Sequence, residues 1–354
     1  MANYYIDLLK VFIPSIVSFF IGIGLTPFLT DFLYRHKLWK KKADKIDPLG
    51  KDTPIFNGLD KDRAVSTPRM GGIVIWVSTI VTILLFWFLS VISPSATSAK
   101  LNFLSRNQTW LPLFTLLVGS LIGLVDDILQ VSGAAGAKSG LSFFKRLLFV
   151  VILGLIGAYW FYFKLGMTAV NVPFFGAWEI GVWLIPLFII VMVALFSSGV
   201  IDGLDGLSGG IMAIIFGAYT TIAFFQHQVD LAAFCAVITG GLLAFLWFNI
   251  PPARFYMSET GILGLTTALT VVVFLTDTVI VLPLIALPLS ATSASVALQL
   301  LSKKFFKRKI FQVAPLHHHF EAIGWPAHKV VMRYWVISVV FAIMGMIIAL
   351  IGNI

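Results

Sequence analysis

The chain has 354 residues, 59% of them hydrophobic and only 12% charged, with a formal net charge of +9. So little charge cannot cover a soluble protein of that length, which makes the bilayer its main solvent. The single cysteine, Cys235, excludes a disulfide framework and a Cys-based zinc site, and the surplus of Lys and Arg points to a membrane surface and anionic substrates rather than nucleic acid.

A spanning helix needs about 20 mostly apolar residues. In chain order, apolar stretches predict an all-α, polytopic integral membrane protein of about ten transmembrane helices. They lie near 11–33, 71–93, 110–128, 144–164, 181–200, 207–226, 231–249, 261–276, 278–301 and 332–352. No basic start or small-residue cleavage site precedes Val11–Phe28, so this run reads as a retained first span. Segment 40–69 is polar and long for a loop. Phe174–Glu179 predicts a short extracytoplasmic turn or hairpin, and the single turn Thr276-Asp277-Thr278 must divide two spans. With no internal repeat or soluble insertion, residues 1–354 read as one transmembrane domain.

Loops 35–70 and 302–330 are rich in Lys and Arg, whereas 94–109 offers Lys100 and Arg106 and 227–230 offers none. The positive-inside rule places the rich loops in the cytoplasm, and ten spans then leave both termini outside. On this topology Asp126-Asp127, Asp202 and Asp205, Glu259 and His317-His318-His319 all fall at cytoplasmic span ends. The chain has only 16 Asp and Glu, and carboxylates at a bilayer are costly unless used. Their convergence on one membrane face marks a functional site.

Each motif also has a plainer role. Asp126 and Asp127 point about 100° apart on a helix, which suits two separate tasks, yet a solvated helix end also explains them. In Asp202-Gly203-Leu204-Asp205-Gly206, the glycines let a ligand approach the backbone and the next helix N-terminus favours a pyrophosphate. Asp205 also suits a simple N-cap. Glu259 at a span start suits the helix dipole, and Tyr256 or Phe255 either stacks a flat base or anchors at the interface. Three consecutive His cannot all face one metal from regular structure, so gripping phosphate or moving protons fits them better than zinc. A site of carboxylates beside phosphates implies Mg²⁺, which favours carboxylate oxygens and bridges phosphates.

Asp126-Asp127, the Asp-Gly-Leu-Asp-Gly-Leu run, Phe248-Asn249-x-Pro-Pro-Ala, Thr67-Pro68-Arg69-Met70-Gly71-Gly72 and Ala314-Pro315-Leu316-His-His-His-Phe-Glu-x-x-Gly-Trp-Pro resemble the polyprenyl-phosphate N-acetylhexosamine-1-phosphate transferase superfamily. The His-His-His-Phe-Glu run and Gly324-Trp325-Pro326 resemble its phospho-N-acetylmuramoyl-pentapeptide transferase (MraY) branch. The resemblance extends over most of the chain and implies a ten-helix fold with a cytoplasmic-face cleft in the bacterial inner membrane. There, phospho-MurNAc-pentapeptide passes from UDP-MurNAc-pentapeptide to undecaprenyl phosphate, giving lipid I and UMP with Mg²⁺ as cofactor. It implies that Asp126 or Asp127 activates the lipid phosphate, that Asp127 and Glu259 lie near Mg²⁺, and that His317 and His318 contact phosphate or sugar. It also implies substrate contacts for Lys61, Asp202, Gly203, Leu204, Asp205, Asn249, Tyr256 and His319. A homodimer is compatible with the sequence.

Three departures stand out: Phe196 and Gly199 occupy the family's Asn-x-x-Asn positions, Gln130 replaces a Lys after the Asp pair, and Glu259 replaces the metal-site Asp. A GlcNAc-1-phosphate transferase is the same-chemistry alternative, opposed by the His run. A transporter should carry ionisable sites near the midplane, whereas these acids cluster at one face. An inactive scaffold is the alternative that Glu259 keeps open.

Overall fold

The computed structural model describes residues 2–39, 66–93, 96–105, 107–132 and 140–352. Apolar sequence becomes helix almost throughout, because only intra-segment hydrogen bonds satisfy a backbone in lipid. In order come α1 (Ala2–Arg35), α2 (Ile73–Ile92), a short α3 (Ala96–Leu101), α4 (Trp110–Ser132) and α5 (Phe143–Tyr159, extended by one wide turn, Trp160–Lys164). A two-stranded antiparallel hairpin, β1 (Ala169–Val172) and β2 (Gly176–Glu179), meets the expectation of an excursion here. Then follow α6 (Leu184–Ser198), α7 (Leu207–Phe225), α8 (Val229–Asn249), α9 (Ser258–Leu275), α10 (Leu282–Ile285), α11 (Leu287–Phe305), α12 (Leu316–Ala322) and α13 (Ala327–Ile351).

Among the described residues, nine helices are long and apolar enough to cross a membrane. The tenth expected span, 278–301, is a broken segment of α10 and α11. The chain turns at Ala286, and Pro283 and Pro288 sit near the two helix starts, where proline is tolerated. Side-chain and backbone ties show that this broken segment also crosses. Lys10 pairs with Asp230, and the Leu231 N–H donates to Gln108 Oε1 at 3.1 Å. Gln226 and Gln228 donate to the carbonyls of Thr276 and Leu275, each at 2.9 Å. The Asn171 N–H donates to Asp277 Oδ1 at 3.1 Å, and the Phe174 N–H donates to the Gly352 carbonyl. The start of α1 and the end of α13 therefore share one face. Chain ends on one face require an even number of crossings, which the nine helices reach only with α10–α11 as the tenth. The turn at Asp277, with φ 49°, divides α9 from that segment as the sequence predicted.

Helices α8 and α9 form the centre: 89% of the apolar window of α9 is buried, against 22% for α1, whose Phe12, Phe20 and Phe28 face outward. Small residues permit the closest helix approach, as expected where packing rather than water drives association. A Cβ on Gly123 of α4 would overlap the Glu259 carbonyl of α9, and one on Gly264 would overlap Ser120. The α4–α9 contact thus brings the end carrying Asp126 and Asp127 against the start carrying Glu259.

Candidate active site

The site lies on the face opposite the chain ends, where two loops are stitched together by backbone bonds and a third, 202–206, is tied to them through Asp202 and Asn249. The Thr67–Gly72 loop docks onto the 254–258 connection: Tyr256 N–H donates to the Pro68 carbonyl at 2.9 Å and Gly71 N–H to the Tyr256 carbonyl at 2.8 Å. Gly71 and Gly72 are required there, because a Cβ would run into Phe255 and into the Gly261 backbone respectively. Met70 and Ser258 both adopt positive φ (69° and 52°), a conformation costing about 1–3 kcal/mol per non-glycine residue. The Met70 N–H to Ser258 Oγ bond, at 2.9 Å, holds the two together.

The adjacent carboxylates diverge as helical geometry requires, and both are fully buried. Asp127 Oδ1 accepts from Arg69 Nε at 3.0 Å, while its Oδ2 accepts from the Thr260 N–H at 3.0 Å and the Thr260 hydroxyl at 2.6 Å. Asp126 accepts from the Leu141 N–H and from Gln130 Nε2 at 2.8 Å. Arg146, in the first turn of α5, pairs with Glu259 through Nη1, which also lies 3.6 Å from Asp126 Oδ2. Burial disfavours the Arg69 charge, but Asp127, with Glu259 and Asp202 behind it, outweighs burial and raises the guanidinium above its ordinary pKa.

Asp202 joins the same cluster. Its Oδ1 accepts from Ser208 Oγ at 2.7 Å and its Oδ2 from the Ser258 N–H at 2.8 Å. Burial pushes its carboxyl pKa up, opposed by these hydrogen bonds and by Arg69. Asp205 does not cap α7. The N-cap is Gly206, at φ 80° and without a side-chain capping bond, and Asp205 Oδ2 instead accepts from the Ala253 N–H at 3.2 Å. Asn249, 3% exposed, links two loops: its Oδ1 accepts from the Gly206 N–H at 2.9 Å and its Nδ2 donates to the Phe255 carbonyl at 2.8 Å. The Leu204 side chain is buried in the core, so at that position only the backbone is left to meet a ligand.

The His run forms the third wall. Its helix, α12, is tied to α11 by the Leu316 N–H donating to Ser295 Oγ at 3.0 Å. His317 and His318 are buried with ring centroids 4.3 Å apart, and a Cβ on Gly203 would meet Nε2 of both, at 2.5 and 2.7 Å. His318 Nδ1 lies 2.7 Å from Glu321 Oε2, which fixes the ring from behind. His319 turns away from Gly203, its ring packing on Phe311 and Phe320. Trp325 stacks on Phe320 at 4.8 Å beneath the Arg333 guanidinium. Of the two candidate aromatics, Phe255 is fully buried beside Phe245 and Phe248, and Tyr256 stays half-buried. Lys61 lies outside the described residues.

The structure therefore assembles Asp126, Asp127, Asp202, Glu259, His317 and His318, with Asp205, Asn249 and Tyr256 on the adjoining loop. Sequence reasoning missed Arg146, Thr260 and Ser258, and took Arg69 only as a motif residue. The available signal for Arg146 was a charge in the first turn of an apolar helix, a costly placement unless it is paired. The acidic donors are all carboxylate oxygens, and four carboxylates against two guanidiniums leave two formal negative charges, a balance that suits a divalent cation. Among the described residues, no three acidic, His or Cys side chains converge as a ready cage, because Arg69 and Arg146 already hold the carboxylates.

Residues 109–277 match the model of Glycosyl transferase family 4, and with ten crossings this defines a polytopic membrane transferase. The chain is similar over nearly its whole length to the phospho-N-acetylmuramoyl-pentapeptide-transferase of Geobacillus sp. (strain WCH70), 33% identical, covering 94% of this chain and 96% of that protein. The enzyme of the same name from Geobacillus thermodenitrificans (strain NG80-2) is 33% identical over 95% and 97%. That of Chloroflexus aurantiacus (strain ATCC 29366 / DSM 635 / J-10-fl) is 29% identical over 98% and 91%. The chain belongs to the phospho-N-acetylmuramoyl-pentapeptide-transferase family.

Proposed function

We propose that this enzyme transfers phospho-MurNAc-pentapeptide from UDP-MurNAc-pentapeptide to undecaprenyl phosphate, releasing UMP and forming lipid I for peptidoglycan synthesis. The observation that carries this reading is the meeting of Asp126, Asp127, Asp202 and Glu259 with the His317–His318 pair on one membrane face. Arg35, Lys37, Arg69, Lys145, Arg146, Arg254 and the 303–309 run lie on that face, against Lys10, Lys100 and Lys164 on the other. The positive-inside rule thus supports a cytoplasmic site and extracytoplasmic termini in the bacterial inner membrane, with the whole chain acting as one domain.

In this reading a lipid-phosphate oxygen attacks the sugar-side phosphorus of the donor's diphosphate, and the bond to the bridging oxygen breaks to release UMP. Asp126 or Asp127 takes the proton from the lipid phosphate. His317 and His318 present their Nε2 edges beside Gly203 to hold the donor's phosphate or sugar, with His319 behind them toward the sugar side. Tyr256 stacks the uracil, and Asp202, Asp205 and the Gly203–Leu204 backbone line the uridine pocket that Asn249 braces. Lys61 adds a cation for the donor. Asp127 and Glu259 would hold Mg²⁺, which would supply charge neutralisation for the departing phosphate.

The test is a transfer assay with purified protein, undecaprenyl phosphate and Mg²⁺, comparing UDP-MurNAc-pentapeptide with UDP-GlcNAc. Lipid I from the first donor alone is expected. Product from UDP-GlcNAc alone would move the chain to the GlcNAc-1-phosphate chemistry, and product from neither would favour a scaffold or transporter.

A further inference from the structure

Arg146 stands between two acids of the cluster. Its Nη1 pairs with Glu259 and lies 3.6 Å from Asp126 Oδ2, while its Nε is buried with no hydrogen-bond partner among the described residues. Arg69 is placed differently: its Nε is spent on Asp127, whose other oxygen is pinned twice by Thr260, and its loop is stitched to Tyr256. One guanidinium is locked, and the other keeps a free donor edge.

We propose that Arg146 is an exchangeable counter-ion that holds Glu259 while no nucleotide is bound and moves to the donor's diphosphate when it arrives. Glu259 is thereby released to the metal, and metal and donor enter the site together. This rests on reading Asp127 and Glu259 as the metal's ligands. A cation at Glu259 must displace the guanidinium, because both answer the same negative charge. Displacement without a new anion leaves Arg146 with Asp126 alone, at 3.6 Å, as its counter-charge, a weaker pairing in a largely buried setting. A diphosphate provides that anion, and the planar guanidinium fork matches phosphate oxygens through paired N–H donors. The free Nε gives the arginine an edge to offer before it gives up Glu259. Metal and diphosphate then strengthen each other's binding by the same factor, as linkage requires.

Mn²⁺ binding, read by electron paramagnetic resonance on the detergent-solubilised full chain, tests this alone, with uridine and with UDP. After correction for the Mn²⁺–UDP complex in solution, the unmodified protein should bind Mn²⁺ about tenfold more tightly with UDP than with uridine or nothing. Arg146→Gln should bind Mn²⁺ without nucleotide about as tightly as the unmodified protein does with UDP, and Arg146→Lys, which keeps the charge, should not. Adding Glu259→Gln to Arg146→Gln should abolish that binding. Equal nucleotide-free binding by the unmodified protein and Arg146→Gln, still lost with Glu259→Gln, would overturn the counter-ion role and leave the metal reading intact. No Mn²⁺ signal in any form with UDP would overturn both.

Discussion

The two faces of the protein use the same interactions to different ends. On the face of the chain ends, each tie joins one helix end or connection to another and each acid named there has its own partner: Asp230 takes Lys10, and Asp277 takes the Asn171 N–H. On the opposite face, Asp126, Asp127 and Glu259 share Arg69 and Arg146, Asp202 joins them through hydrogen bonds, and Asp126 and Asp127 also carry further hydrogen bonds from backbone or side-chain donors. A face built only for cohesion has no reason to bury more carboxylates than cations, since desolvating an ion costs several kcal/mol, on the order of the whole gain from pairing. The concentration of surplus carboxylates in one connected cluster is therefore the mark of use, whereas on the other face Asp277 stands apart on a backbone N–H. It separates a structural edge from a reactive one without reference to any particular residue type.

The contrast breaks most sharply at Asp127. Asp127→Asn keeps the size of the side chain and removes its charge, so Arg69 loses its ion pair and the proposed acceptor is gone. Turnover should fall by about 10²–10⁴-fold, the range typical of a positioned proton-transfer group, as measured by lipid I formation. Near-normal transfer would return the Asp126-Asp127 pair to the status of a solvated helix end. A smaller effect belongs to Glu259. Its Arg146 partner comes from another helix, so arm length matters, but the charge matters more. Glu259→Gln should raise the Mg²⁺ concentration needed for half-maximal transfer by more than Glu259→Asp does. Identical, unmodified-like Mg²⁺ titrations for the two variants would remove Glu259 from the metal site.

Much of this is legible in the sequence, and for a physical reason. Bilayer solvent makes apolar length a direct readout of spans, and Lys/Arg bias sorts loops by side, so the meeting of Asp126-Asp127, Asp202, Glu259 and His317-His318 on one face followed from hydropathy alone. The tenth span was harder to read. α11 carries Ser, Thr, Gln and Lys, and Ala286 breaks the helix, so its crossing follows from where Asp277 and Gly352 are tied rather than from composition. Which of several polar residues faces inward was not legible, because that depends on helix rotation. His319 differs from His318 only by a 100° step, yet it packs on Phe311 while His318 meets Gly203. Arg146 was hidden by distance: its partner Glu259 lies 113 residues away, and only the close α4–α9 contact at Gly123 brings Glu259 beside Asp126.

His318 offers an intermediate test. Its ring is held from behind by Glu321 and presents Nε2 beside Gly203, so His318→Ala removes a contact to the donor and leaves Asp126, Asp127, Asp202 and Glu259 with their own partners, at the cost of the Glu321 contact. About a tenfold loss in kcat/KM for UDP-MurNAc-pentapeptide is expected, in line with one charge-assisted hydrogen bond to phosphate. Unchanged donor kinetics would reduce the His run to packing.

The smallest effect should come from the other face, and that is what makes it informative. Lys10 and Asp230 form a pair whose side chains are 16% and 23% exposed, joining the start of α1 to the start of α8. Solvent screens the pair only in part, so its loss is worth about 1–2 kcal/mol, between an exposed and a buried pair. Asp230→Asn should lower the midpoint of thermal unfolding by about 2 °C in a chain of this size, with transfer rate and Mg²⁺ requirement unchanged. If the rate fell in step with the midpoint, the ties on that face would reach the site through α8, whose far end carries Asn249 between the Gly206 and Phe255 loops. The division into a cohesive face and a reactive face would then fail at the helix that joins them.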